Sequence, residues 1–323
     1  MRKTSTPGRV YAERINPSAF STGYSNRNRE RLITAEKSKI TWTDATENFW
    51  HGCTPVSEGC AHCYMYREKR QFGQDPAKVV RSSDKTFYAP LKWREPRYIF
   101  ACSWGDFFHP AGDEWRPEAW DVIRRCPQHT WLILTKRPEL IVARLPEGWP
   151  WPHVALGVTA ENQARLDERG PIILSIPAAL HFLSWEPGLG PIHITPPFFQ
   201  YDKTFRNFGW VITGGESGPD ARPTHPDWVR SLRDQAKAAG IPFCFKQWGE
   251  WAVIEKGLSK KGDITLANYG PYPNIFWHHE RPVRISTHVS ADCVVMRRVG
   301  KKNAGRYLDG EIWDERPSPL GNK

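Results

Sequence analysis

Three cysteines fall close together between Gly52 and Tyr64: Cys53, Cys60 and Cys63, spaced C-x6-C-x2-C. Thiolates are soft donors, and three suffice to hold a [4Fe–4S] cluster while one iron keeps no protein ligand. An iron left open in this way can activate a small molecule, whereas a fully ligated cluster mostly carries electrons. Zinc is the other metal the spacing allows. Cys60 and Cys63 make half of a structural zinc site, with Cys53 and His51 or His62 as partners. No second C-x2-C or H-x3–5-H pair follows to complete it. A purely structural role fits less well, because a short loop punctuated by Gly and Pro has little core to fill.

The rest of the composition frames that chemistry. Seven cysteines, three of them clustered, fit a reducing compartment better than a secreted disulfide scaffold. No apolar run is long enough to cross a membrane, so the expectation is a soluble cytoplasmic protein. Hydrophobic residues make up 39% of 323, enough for a substantial core. The net charge is +10, and the first 37 residues carry half of it, with eight Lys/Arg against three Glu. Residues 1–38 read as a basic, flexible arm suited to phosphates, and the charge favours DNA or RNA as a partner. The 16 tryptophans are read as packing rather than base-stacking, since several, such as Trp131 and Trp210, sit in apolar runs.

The elements that must position the cysteines show a period. Short apolar runs begin at Tyr98, Trp131, Val154, His181, Trp210 and Pro242, roughly 30 residues apart, about the length of one βαβ unit. Continuous rather than alternating apolar strands belong to parallel sheets covered on both faces. A further strand is expected near Ile40–Thr43. Pro226–Ala239, Pro117–Arg125 and Pro138–Arg144 each begin with Pro and read as helices. The expected class is α/β, a complete or partial (β/α) TIM-like barrel over residues 39–250, with an open doubly wound sheet as the alternative. Residues 251–323 read as a small, partly β extension, in which Lys301, Lys302 and Arg306 form a solvated charge run or a phosphate contact.

Barrels place chemistry at the C-terminal ends of their strands. The polar clusters of this sequence fall there: Ser103 and Asp106, Lys136 and Arg137, Thr159, Glu161 and Asn162, Ser184 and Glu186, Glu216, and Lys246.

A cysteine loop above such a barrel resembles the radical S-adenosylmethionine (radical SAM) superfamily. More narrowly, the chain is similar to a phage- and prophage-associated family of three-Cys-motif proteins of unassigned function. The matching stretches are Ile40–Thr46, the cysteine loop, Leu134–Pro138, Leu156–Gln163, Val211–Gly218, Phe245–Gly249 and Ala304–Gly310. The usual superfamily spacing is C-x3-C-x2-C, and this chain has six residues in the first gap. The Gly-Gly-Glu string of the superfamily follows its second strand; Gly214-Gly215-Glu216 comes later here, so its role is not carried to Glu216. The resemblance implies iron at Cys53, Cys60 and Cys63, with S-adenosyl-L-methionine on the open iron and a 5′-deoxyadenosyl radical as its product. It implies adenine stacking for His62 and contacts to the cofactor's amino group for Ser103 and Asp106. Lys136 or Arg137 is matched to its carboxylate or to a substrate phosphate, and Thr159, Glu161, Asn162 and Glu186 to its ribose. An enzyme of this kind needs an electron donor, and the basic charge points to a nucleic acid or nucleotide substrate. The rival is a non-enzymatic nucleic-acid-binding protein with structural zinc. Neither substrate nor oligomeric state is written in the sequence.

Overall fold

Segments that are apolar on both faces need cover on both faces, and the chain supplies it with a curled sheet. A computed structural model describes residues 36–194, 208–254, 260–267 and 293–321. The arm expected over 1–38 lies, apart from Glu36–Ser38, outside the described residues.

The first strand is β1 (Ala45–Glu47), and β2 (Trp50–His51) pairs antiparallel with β3 (Val80–Arg81) around the cysteine loop and α1 (Tyr64–Gln71). After α2 (Asp84–Phe87) come β4 (Tyr98–Ala101), α3 (Arg116–Arg124), β5 (Thr130–Thr135) and β6 (Val154–Thr159). Then follow α4 (Gln163–Ser175), β7 (Leu180–Trp185), β8 (Trp210–Thr213), α5 (Pro226–Ala238) and β9 (Phe243–Phe245). The last elements are β10 (Trp251–Ile254), β11 (Ile264–Ala267), β12 (Cys293–Arg298) and the one-turn α6 (Lys301–Ala304).

Seven strands form one parallel sheet in the order β1-β4-β5-β6-β7-β8-β9. Each new strand adds to the same edge. A doubly wound sheet reverses direction at a switch point, and this one never does, so the open doubly wound alternative is set aside. The sheet curls as a half-barrel. It is a partial barrel: β1 and β9 lie at its two edges.

Side-chain parity separates the two faces, because successive strand residues point to opposite sides. Trp131 and Ile133 of β5, Leu156 and Val158 of β6, and Leu183 and Trp185 of β7 pack outward with the helices. Their neighbours Leu132, Ala155 and Phe182 pack inward with Phe100, Trp210, Ile212 and Cys244. Gly157 faces inward too. A Cβ there would stand 2.3 Å from the Phe182 ring, which occupies that space.

Ile40–Thr43 is not the expected strand; the strand begins at Ala45. The preceding turn carries Trp42 onto the inner face, 4.6 Å from Phe100 and 6.1 Å from Trp210 between ring centroids. Burial of this indole plugs the lower half of the barrel, a packing role that looks like a strand in sequence because its residues are apolar and β-prone. Pro138–Arg144 forms two 3₁₀ turns, not an α-helix.

The C-terminal tail closes what the missing strands leave open. Asp314 bridges antiparallel to Cys244 on the edge strand β9, and Phe245 donates its N–H to Trp313 O at 2.9 Å. Arg316 then reaches Asp44 (2.8 Å) and Thr41 O (2.6 Å), and Leu320 N–H reaches Thr130 Oγ1 (2.8 Å). An exposed strand edge is thereby covered. Among the described residues beyond 250, the tail from Trp313 is thus built into the barrel's frame, while β10-β12-β11 forms a separate three-stranded antiparallel sheet.

Candidate functional site

The β2–β3 pair forms the base from which the cysteine loop projects. At that base Gly52 has φ +110°, and a Cβ would lie 2.3 Å from Lys78 O, so only glycine passes. The chain turns at Glu58–Cys60 and enters α1 through Cys63 at its N-cap. Backbone N–H groups of Tyr66 and Met65 at the start of α1 pull the Cys63 thiol down, although burial outweighs them. Tyr66 Oη donates to Cys53 O at 2.5 Å.

A buried carboxylate holds the loop from behind. Glu161, just past β6, is fully inaccessible and accepts from Ser57 Oγ at 2.6 Å and Arg169 Nη1 at 3.0 Å, with Lys136 Nζ at 3.4 Å. Gly59 lies directly on this carboxylate; a Cβ would sit 2.2 Å from Oε1. Burial tends to raise the Glu161 carboxyl, but Lys136, Arg169 and Ser57 together hold it below the usual range. Beside it, Asn162 Nδ2 donates to Glu58 Oε1 at 2.5 Å, and Arg165 pairs with Glu58 Oε2 at 3.0 Å. Arg222 completes the clamp. It grips Glu216 at 2.6 and 2.8 Å and donates to Glu58 O at 3.0 Å.

A second buried network meets Cys53. Asp106, 4% exposed, accepts from Thr135 Oγ1, the N–H groups of Phe108 and Lys136, and Arg137 Nη1. Arg137 in turn donates to Cys53 Sγ at 3.5 Å and to Thr54 O at 2.6 Å. Burial, with Asp106 adding, pushes the Cys53 thiol up to about 12 against the pull of Arg137. Burial also raises Cys63.

One cleft of about 1110 Å³ collects these parts at the C-terminal ends of the strands. Cys53, Cys60 and Cys63 line it together with His62, Ser103, Asp106, Lys136, Thr159 and Glu186. The inward parity that places Ala155 and Gly157 inside carries on to Thr159, and Phe182 is followed in the same sense by Ser184 and Glu186. Glu186 faces Lys246 Nζ at 2.7 Å and Gln247 Nε2 at 3.2 Å. Glu161 and Asn162 stand behind the loop rather than in the cleft, bonded to Ser57 and Glu58. The Asp106 oxygens are likewise occupied by protein donors.

The three cysteines are free thiols, each half-buried. Among the described residues, no group of three or more His, Cys, Asp or Glu is close enough to hold a metal ion. A tetrahedral zinc site draws four donors to one centre at roughly 2.0–2.3 Å. A cubane cluster spreads its cysteines over separate irons, so its thiolates stand farther apart. The three sulfurs stand on one wall of a roomy cleft with His62 beside them, and the loop that carries them is pinned by Glu161 and Arg137.

Sequence reasoning singled out neither Arg222 nor Arg165 and Arg169, because an arginine that grips a loop far away in sequence leaves no local signal. Lys301, Lys302 and Arg306 do line the cleft, so the charge run in the extension reaches the site. Two glycines bracketing Lys301 and Lys302, Gly300 and Gly305 with φ +84° and +70°, were the available cue to a tight, built turn.

Fold and site together define a partial (β/α) barrel carrying a three-cysteine loop above its strand ends. A family model described as Protein of unknown function (DUF5131) matches residues 37–317, and the chain belongs to that family. No curated protein and no solved structure matches the chain. No helix among the described residues is long and apolar enough to cross a membrane.

Proposed function

We propose that this chain is a radical S-adenosylmethionine-type enzyme acting on a nucleic acid or nucleotide. The observation that carries the reading is the placement of Cys53, Cys60 and Cys63 on one wall of a single cleft at the C-terminal ends of a parallel partial barrel. When bound, a [4Fe–4S] cluster with S-adenosyl-L-methionine supplies a 5′-deoxyadenosyl radical that abstracts hydrogen from a substrate.

The chain's own residues divide the remaining work. The three cysteines hold iron, and binding releases their thiol protons. Arg137 donates to the Cys53 sulfur and offsets negative charge beside it. Glu161, Glu58 and Arg222 fix the loop so that the sulfurs keep their spacing. Asp106 is bonded to Arg137, Thr135 and the Lys136 backbone N–H rather than presenting a free carboxylate, so the cofactor's ammonium falls to other acceptors; Ser103 remains in the cleft for it, while Glu186, paired with Lys246, faces the ribose. Lys136 meets a carboxylate, Thr159 a ribose hydroxyl, and His62 stacks on an adenine. An electron donor must dock within reach of the loop.

Anaerobic reconstitution with iron and sulfide should give a brown protein absorbing near ~400 nm. Dithionite and S-adenosylmethionine should then release 5′-deoxyadenosine. A colourless zinc-loaded protein, or a full cluster that yields no 5′-deoxyadenosine, would exclude the reading.

A further inference from the structure

The charges lining the cleft do not balance: nine Lys and Arg face five Asp and Glu. The carboxylates are largely spoken for. Asp106 is held by Arg137, Glu186 by Lys246, and Glu216 by Arg222 from outside the lining, while Glu250 accepts from Gly218 N–H and lies 3.9 Å from Arg298. Glu68, which burial raises, is the one left near the cations Arg67 and Lys301. On the other side, no carboxylate among the described residues stands within ion-pairing distance of Lys301, Lys302 or Arg67.

These cations, none of them in an ion pair among the described residues, are brought together by construction, and Arg67 Nη1 also donates to Ser217 O at 3.3 Å. The turn between Gly300 and Gly305 hangs from β12, with Val299 and Gly300 N–H groups both donating to Glu250 O at 2.9 and 3.1 Å. Trp248 N–H donates to Gly305 O at 3.1 Å and fixes the turn's far end. Arg67 comes from α1, directly after the cysteine loop, and passes over Gly218, where a Cβ would stand 1.8 Å from its Nη1. Lys246 comes from the end of β9. Lys301 lies within electrostatic reach of Lys246 and Arg67, and burial followed by Lys246 lowers its ammonium. Glu68, Glu186 and Glu250 are near enough to be felt by these cations but none forms an ion pair with Lys301, Lys302 or Arg67, so the cations outnumber the carboxylates at the cleft mouth and make a site for an anion.

We infer that Lys301, Lys302 and Arg67 form a phosphate-receiving lip on the cleft, which seats the substrate's phosphate while its reacting part lies towards the cysteines. This rests on the reading of the cleft as the substrate site. Phosphate is the shared chemistry of two sources, a phosphodiester of a single-stranded nucleic acid and the phosphate of a free nucleotide. Among the described residues the cleft opens to solvent, and the chain carries a net charge of +10, which suits a polymer passing over the lip.

The test is binding rather than turnover, so it stands apart from whether a cluster forms. The full chain is titrated with a labelled single-stranded oligonucleotide across a salt series, and separately with a nucleoside monophosphate by calorimetry. Lys301→Ala with Lys302→Ala should weaken oligonucleotide binding about tenfold and flatten the log–log salt slope by roughly 1.4, or about 0.7 for each lost phosphate contact. Both residues lie exposed on the turn, although the Lys301 ammonium is partly buried in the cleft, and an unchanged melting temperature checks the fold. A loss confined to the monophosphate supports the lip but assigns it to a small substrate. Wild-type affinity and slope in the double variant for both probes, or no binding of either probe to the wild type, would overturn it.

Discussion

Replacing Glu161 by alanine should lower the melting temperature by about 10 °C and abolish retention of metal by the cysteine loop. The carboxylate is inaccessible and faces Arg169, Lys136 and Ser57. Removing one member of a buried ion pair leaves its partners charged and dry, at a cost of roughly 3–5 kcal/mol. At about 2–4 °C per kcal/mol in a domain of this size, that is a fall easily read by calorimetry. Glu161→Gln keeps the shape and the Ser57 contact but loses the charge, so it should fall between the two. The pH dependence has a definite sign. The folded carboxyl lies below its unfolded value, so its contribution is complete above an unfolded value of about 4.3. It is lost as the pH falls through the lower folded value. In wild type this adds to the acid limb of the stability curve below about pH 4.3, and Glu161→Gln should flatten it. A variant with wild-type melting, acid limb and iron content would show that Glu161 does not hold the loop.

The elements that were legible are those in which one physical signal dominates. Six of the seven main strands came from apolar runs whose burial on both faces leaves no alternation to misread, and α5 from Pro226 at its start and Gly240 after its end. The strand misplaced to Ile40–Thr43 failed because Trp42 is buried by tertiary packing against Phe100 and Trp210, which burial pattern alone cannot tell from a strand. Pro138–Arg144 has a helical start but too few residues before Leu145 to propagate beyond tight turns. The strap from Trp313 to Leu320 was invisible because its partners, Cys244, Asp44 and Thr130, lie far away in sequence.

The site divides the same way. Cysteine spacing and polar strand ends announce themselves locally, and nine of the eleven residues named from sequence line one cleft. What sequence could not supply is the direction in which a polar group spends its hydrogen bonds. Glu161 and Asn162 end a strand as ribose contacts would, yet Gly59 leaves just enough room for the Glu161 carboxylate to lie beneath the cysteine loop. Asp106 likewise ends up aligning Arg137 with Cys53.

Single substitutions of Cys53, Cys60 or Cys63 by alanine should each reduce iron in the anaerobically reconstituted protein from about four per chain to near zero, with sulfide falling in step. A cluster held by three thiolates has no fourth protein ligand to retain it when one is lost, so the three variants should look alike. Their melting temperatures without metal should stay close to wild type, because the thiols are half-buried and lie on the cleft wall rather than in the core. Cys102→Ala and Cys244→Ala make the reciprocal prediction. Those side chains are 2% and 1% exposed within the two packed faces of the sheet, so their loss should destabilise by roughly 0.5–3 kcal/mol and leave iron bound. Iron retained by Cys60→Ala, or lost equally from Cys102→Ala, would separate the metal from the loop and remove the ground for radical chemistry here. The contrast works because the two sets differ in where the fold puts their sulfur: towards an open, cation-lined cleft in one, into close packing in the other.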